Sequence, residues 1–157
     1  MFVLEVNNQT QTKVDKKWLE GVVQICRKVL KIHKSQAISL AFVTPLVIKK
    51  INLAYRGKNE VTDVLSFEED GSESLGEIII CLARAKQRAK VAGWPLKNEV
   101  AKLLIHGYLH LMGYDHEKSV SVAYKMESLE KRILNKFVSM KYKSAIGCGI
   151  DARFGKR

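Results

Sequence analysis

The sequence predicts an α+β fold, with one small mixed β-sheet of about four strands packed with helices. Three observations carry that prediction. Four short segments alternate apolar with polar positions or are rich in β-branched residues, as strands are. Five others carry helical apolar spacing, capping residues or both. Their order does not alternate strand with helix regularly, as a doubly wound α/β sheet would require.

Residues 2–6 read as the first strand. Asp15 offers an N-cap carboxylate to a helix extending to about residue 32, with Leu19, Val22, Val23, Cys26, Val29 and Leu30 as its apolar stripe. Lys28, Lys31 and Lys34 form a solvated face. Ile38, Leu40 and Phe42 alternate with small or polar residues and form the second strand. Thr44-Pro45 supplies an N-cap followed by proline at the first helical position, starting a short helix to about Tyr55 whose end, Y-R-G-K-N, is a loop.

V-T-D-V-L-S-F is the third strand and L-G-E-I-I-I-C the fourth, joined by an acidic loop. From Asn59 to Glu77 there are seven acidic residues and no basic one, a stretch that repels phosphate unless it faces away from any phosphate site. Residues 83–92 form a helix bearing Arg84, Lys86, Arg88 and Lys90, broken by Gly93-Trp94-Pro95. The next helix buries Val100, Leu103, Leu104, Gly107 and Leu111. Ser119 to about Phe137 is the last helix, with Val122, Met126, Leu129 and Ile133 on one side. Past it the chain has three glycines, scattered charge and no clear period, so we expect one domain over residues 1–138 and a basic, flexible tail over 139–157.

A chain of 157 residues suits a single domain. Its start lacks the charged, apolar and cleavage regions of a signal peptide, and no run approaches the about 18 apolar residues of a membrane span. The expected compartment is the cytoplasm. Cys26, Cys81 and Cys148 are odd in number and form no C-x-x-C pair, which argues for reduced thiols and against a cysteine zinc site. The net charge of +11 points to a polyanionic partner. Residues 131–157 hold eight Lys or Arg against Asp151, a net of +7 that leaves +4 for residues 1–130.

Residues 98–116, N-E-V-A-K-L-L-I-H-G-Y-L-H-L-M-G-Y-D-H, contain three of the four histidines. His106 and His110 are four apart, so a helix projects both from one face. Gly113 can take the left-handed conformation that ends a helix, which lets the chain swing back and deliver His116 as a third prong. The spacing H-x-x-x-H-x-x-G-x-x-H is that of the metzincin pattern, in which three imidazoles bind zinc. Gly107 stands where metalloproteases carry their glutamate base. Three neutral imidazoles leave a fourth position for water, the arrangement of a catalytic zinc, which predicts hydrolysis. Histidines on an apolar helix are commonly core or surface residues, but three at this spacing with the turn glycine favour a metal site. Asp115 either accepts a ring N–H from a ligating histidine or caps the turn. Tyr108 and Tyr114 either stack on unpaired bases or belong to the core.

Three segments, I-N-L-A-Y-R-G-K-N-E-V-T-D-V-L-S-F, L-G-E-I-I-I-C and H-G-Y-L-H-L-M-G-Y-D-H, together resemble the YbeY family of single-strand-specific, metal-dependent endoribonucleases. The resemblance covers roughly residues 1–138. It implies a zincin-like fold, His106, His110 and His116 as ligands of one divalent ion, zinc by expectation, and His106 and Arg56 as catalytic residues. It further implies ribosomal RNA and the small ribosomal subunit as partners, with roles in 16S rRNA 3′-end maturation and ribosome quality control. Val61 departs from the family's usual proline, Glu77 from its frequent aspartate, and the basic tail runs past the usual end. Read without the family, Arg56 is either a surface ion pair or a bidentate phosphate ligand. Two other functions stand beside the nuclease. One is a metzincin-like peptidase or other metal hydrolase, which Gly107 opposes. The other is a non-catalytic ribosome assembly factor stapled by its metal, which the three-histidine set opposes because structural zinc usually has four protein ligands.

Overall fold

The computed structural model describes the backbone of residues 2–71 and 73–146, and the side chains of these as far as residue 140. In chain order the elements are β1 (Val3–Asn8), α1 (Lys16–Leu30), β2 (Ala37–Val43), α2 (Pro45–Arg56), β3 (Val64–Glu68), β4 (Ser74–Cys81), α3 (Leu82–Ala92), α4 (Leu96–Leu111) and α5 (Val120–Ile146). The sheet order is β1-β2-β4-β3. β1 and β2 pair in parallel, as do β2 and β4, while β3 returns antiparallel to β4 and forms an edge.

The central strands are buried on both faces, which is why their sequences are nearly continuous apolar runs. Ile38, Leu40, Phe42, Ile78 and Ile80 point into the main core beneath α1, α3, α4 and α5. The residues between them, Ala41, Val43, Ile79 and Cys81, form a smaller cluster with Ile48 of α2 on the other face. Cys26 and Cys81 are both free and buried, as core residues.

Helix α4 is the centre of the assembly and packs on α1, α3, α5, β3 and β4. From Glu99 to Leu111 every residue is buried except Lys102, His106 and His110, a stripe one residue wide at four-residue spacing. The expected buried face, with Val100, Leu103, Leu104, Gly107 and Leu111, is the one observed. Gly107 allows the helix to lie close to the sheet, because a Cβ there would stand 2.8 Å from Ile78 Cγ2. The helix ends as expected at Gly113, with φ +86°. Gly113 N–H donates to the His110 carbonyl (2.9 Å) and Tyr114 N–H to that of Leu109 (3.0 Å), satisfying two of the last carbonyls.

Two boundaries differ from expectation by three residues or more. β3 begins at Val64 rather than Val61, because the Asp63 carboxylate accepts the Val64 N–H (2.8 Å) and turns the chain into the strand there. Helix α5 continues past Phe137, through the expected boundary at residue 138, to Ile146. Residues 139–146 contain neither glycine nor proline, so nothing local stops the helix before Gly147. Cys148 and the rest of the expected tail, 147–157, lie outside the described residues.

Candidate metal centre

The C-terminal half of α4 presents His106 and His110 one turn apart, with ring centroids separated by 4.7 Å and their Nε2 atoms by 3.1 Å. After Gly113 a tight turn reverses the chain. Its fastening is the Asp115 carboxylate, which accepts the Glu117 N–H (2.9 Å), and this hydrogen bond is the main reason that its pKa lies below the usual value. The turn brings the His116 ring to centroid distances of 5.5 Å from His106 and 5.2 Å from His110. Of the two roles open to Asp115, capping the turn is the one its geometry fills.

One nitrogen from each imidazole lies within 4.8 Å of the others, so the three could hold a metal ion. Two nitrogens at about 2.0–2.1 Å from a tetrahedral ion are about 3.3 Å apart, close to the separation seen between His106 and His110. Burial, followed by the neighbouring His106 and His116, lowers the His110 pKa from its ordinary value of 6.5. The neutral ring that results has the lone pair a metal needs.

Sequence reading missed Glu130, on α5. Its Oε1 lies 2.5 Å from His106 Nδ1. A carboxylate there keeps the ring proton on Nδ1 and turns the Nε2 lone pair toward the other two histidines. Its signal was present in the sequence. Glu130 lies four residues after Met126 and three before Ile133, both buried, so an acid interrupts the apolar stripe of its helix.

The histidines face a groove of about 430 Å³, whose opposite wall is the edge strand β3 from Val64 to Phe67. Arg56, the last residue of α2, reaches the same groove, as does Lys58, which sequence reading did not single out. Arg56 is nearly half exposed, and its Nη2 is 3.8 Å from Glu117 Oε1. Such a long, exposed pair contributes little and leaves the guanidinium available to an anion. Asn52, 1% exposed, donates from Nδ2 to the Glu60 carbonyl (3.0 Å) and so fastens the loop that follows Arg56. Of the acids between residues 59 and 77, Asp63 alone lines the groove, and it is paired with Arg88. The acidic stretch therefore does not close the groove to phosphate.

Gly107 faces Ile78 rather than the groove, so no base could stand at that position without displacing the helix from the sheet. The peptidase reading loses its general base for a packing reason. Tyr108 is 0% exposed and belongs to the core, which excludes it from base stacking. Tyr114 is partly buried, with the Lys125 ammonium 5.6 Å from its ring centre.

A protein-family model described as Endoribonuclease YbeY matches residues 5–138. An endoribonuclease YbeY of Bdellovibrio bacteriovorus is 36% identical over 147 residues, covering 90% of this chain and 98% of that protein. Another, of Persephonella marina, is 40% identical over 126 residues, covering 76% of this chain and 82% of that one. The solution structure of a Thermotoga maritima protein matches with a TM-score of 0.62 at 28% identity, covering 100% of both chains.

Proposed function

The chain belongs to the endoribonuclease YbeY family and is a hydrolytic endoribonuclease, and from that premise we propose that it cuts single-stranded ribosomal RNA with one divalent ion, zinc, held by His106, His110 and His116. The observation that carries this reading is the convergence of three imidazoles on a groove whose rim holds Arg56. His106, His110 and His116 would hold the zinc, which when bound would supply a water of pKa about 7 and a charge to polarise a phosphate oxygen.

The protein's own groups do the rest. Glu130 fixes the tautomer of His106. The Arg56 guanidinium pairs with non-bridging phosphate oxygens and offsets the charge that grows in the transition state. Lys58 adds a second cation at the rim. With Gly107 in place of a carboxylate, the proton acceptor lies elsewhere, and the product ends report which route is taken. A 2′,3′-cyclic phosphate marks attack by the RNA 2′-hydroxyl, and a 3′-hydroxyl with a 5′-phosphate marks attack by water.

We further assign the substrate to the 3′ end of 16S rRNA in the small ribosomal subunit, in maturation and quality control, and the compartment to the cytoplasm. The family and the net basic charge support this assignment, and no helix among the described residues is long and apolar enough to cross a membrane. Residues 1–138 form the catalytic unit and 139–157 a basic extension.

The test pairs metal analysis with cleavage of a single-stranded RNA. Wild type should hold about one metal ion per chain and cut the RNA, His110→Ala should lose both metal and cleavage, and Arg56→Ala should keep the metal and lose cleavage. Metal bound without cleavage in any condition, or cleavage undiminished without metal, would sink the mechanism.

A further inference from the structure

Helix α3 carries Arg84, Lys86, Arg88 and Lys90 with no acid, and of these the site described above uses only Arg88, as the partner of Asp63. Arg84 and Arg88 lie one turn apart on one side of this helix. Arg88 pairs with Asp63, a residue that lines the histidine groove, so that side of α3 and the groove share a wall. On the far side of Arg88 is a second open groove, of about 410 Å³, lined by Arg84, Gln87, Val91, Trp94 and Lys102 among others. Lys102 stands on the exposed stripe of α4 one turn before His106, about 5–6 Å along the helix.

Trp94 is the second observation. Its indole N–H donates to Glu99 Oε2 (2.9 Å), a carboxylate on a residue only 2% exposed, so the ring is held in place although it is partly open to solvent. The Lys102 ammonium lies 5.8 Å from the ring centre. Asp63 is paired with Arg88, and although the neutral indole N–H does not cancel the Glu99 carboxylate that also lines the groove, the cations Arg84 and Lys102 outnumber it. A fixed aromatic ring flanked by cations is the arrangement that holds unpaired nucleotides, with the base on the ring and the phosphates on the cations.

We propose that this groove is a second subsite for the same substrate, gripping the single-stranded RNA that continues beyond the cleaved bond. The proposal rests on the nuclease reading and extends it from the reacting phosphate to its flank. It predicts a dependence on RNA length. A short RNA fills the histidine groove alone, whereas a long one engages both grooves.

The experiment compares wild type with Arg84→Gln/Lys102→Gln and with Trp94→Leu, in the metal-loaded full chain, on oligouridylates of about 4 and about 20 nucleotides. Thermal unfolding checks that each variant is folded. On the long RNA the double variant should show KM raised severalfold with kcat unchanged, and a salt dependence of log kcat/KM shallower by about 0.7 for each cation removed. On the short RNA it should match wild type. Equal losses on both lengths, or no loss on the long RNA, would overturn the subsite. So would unchanged RNA kinetics in a double variant that loses binding to polyglutamate, a result that assigns the groove to an acidic protein. Wild type that cuts neither RNA would fail the nuclease reading itself, a distinguishable outcome.

Discussion

Removing the Glu130 carboxylate should weaken metal binding without touching a ligand. The carboxylate oxygen and His106 Nδ1 are 2.5 Å apart, with side chains 20% and 30% exposed. Partners of this kind are worth about 10–100-fold in metal affinity, or about 1.4–2.7 kcal/mol. Glu130→Gln keeps an oxygen that accepts the Nδ1–H, so it retains the tautomer, loses the charge and belongs near the tenfold end. Glu130→Ala frees the ring to rotate and to move its proton to Nε2, and belongs near the hundredfold end. Competition for zinc with a chromophoric chelator measures the affinity, and urea unfolding of the metal-free protein measures the fold separately. Two results would refute the reasoning. One is an Ala variant that binds zinc as tightly as wild type. The other is a Gln variant as impaired as the Ala variant, with the loss matched by metal-free stability.

Three further changes probe the rest of the site. Arg56→Ala should leave the metal content intact and lower kcat by about 10²–10³-fold, with Arg56→Lys recovering only part because lysine supplies charge without the guanidinium fork; loss of metal from the Ala variant would contradict the role given to Arg56. Gly107→Ala places a methyl 2.8 Å from Ile78 Cγ2 and should cost about 1–3 kcal/mol in urea unfolding, while Gly107→Glu should fail to fold rather than gain peptidase activity. Asp115→Ala should lower zinc affinity severalfold by loosening the turn that carries His116, whereas Asp115→Asn, whose Oδ1 accepts the same Glu117 N–H, should stay near wild type; equal loss in both would point to the charge rather than the turn.

Much of this architecture was legible in the sequence because its signals are local. Strand alternation at Ile38, Leu40 and Phe42, the Thr44-Pro45 helix start and the terminating Gly113 each need only their neighbours to act. The histidine trio was legible for the same reason, since a helix and one turn bring it together. Glu130 was not, because its meeting with His106 joins residues far apart in sequence through the packing of α5 on α4. The convergence of Arg56 with the histidines also depends on packing. α2 lies on the opposite face of the sheet, and only the position of β3 at the edge lets its C-terminus reach the groove. The end of α5 was misjudged because apolar spacing fades after Val138. Helices persist where nothing breaks them, and the Glu127–Lys131 pair (2.8 Å) adds to its exposed face.

The one-residue-wide exposed stripe of α4 bears on how a bound ion would be released. His106 and His110 sit on a helix buried on nearly every side, so their backbone can move only when the core opens, a rare event of nearly global cost. His116 sits on an exposed turn held by a few hydrogen bonds, and such turns open often. Release of an ion held there would therefore be ordered, with the turn letting go first and the helix pair last. The turn would set the lifetime of the loaded state, and stiffening residues 113–118 should lengthen it while leaving the core untouched.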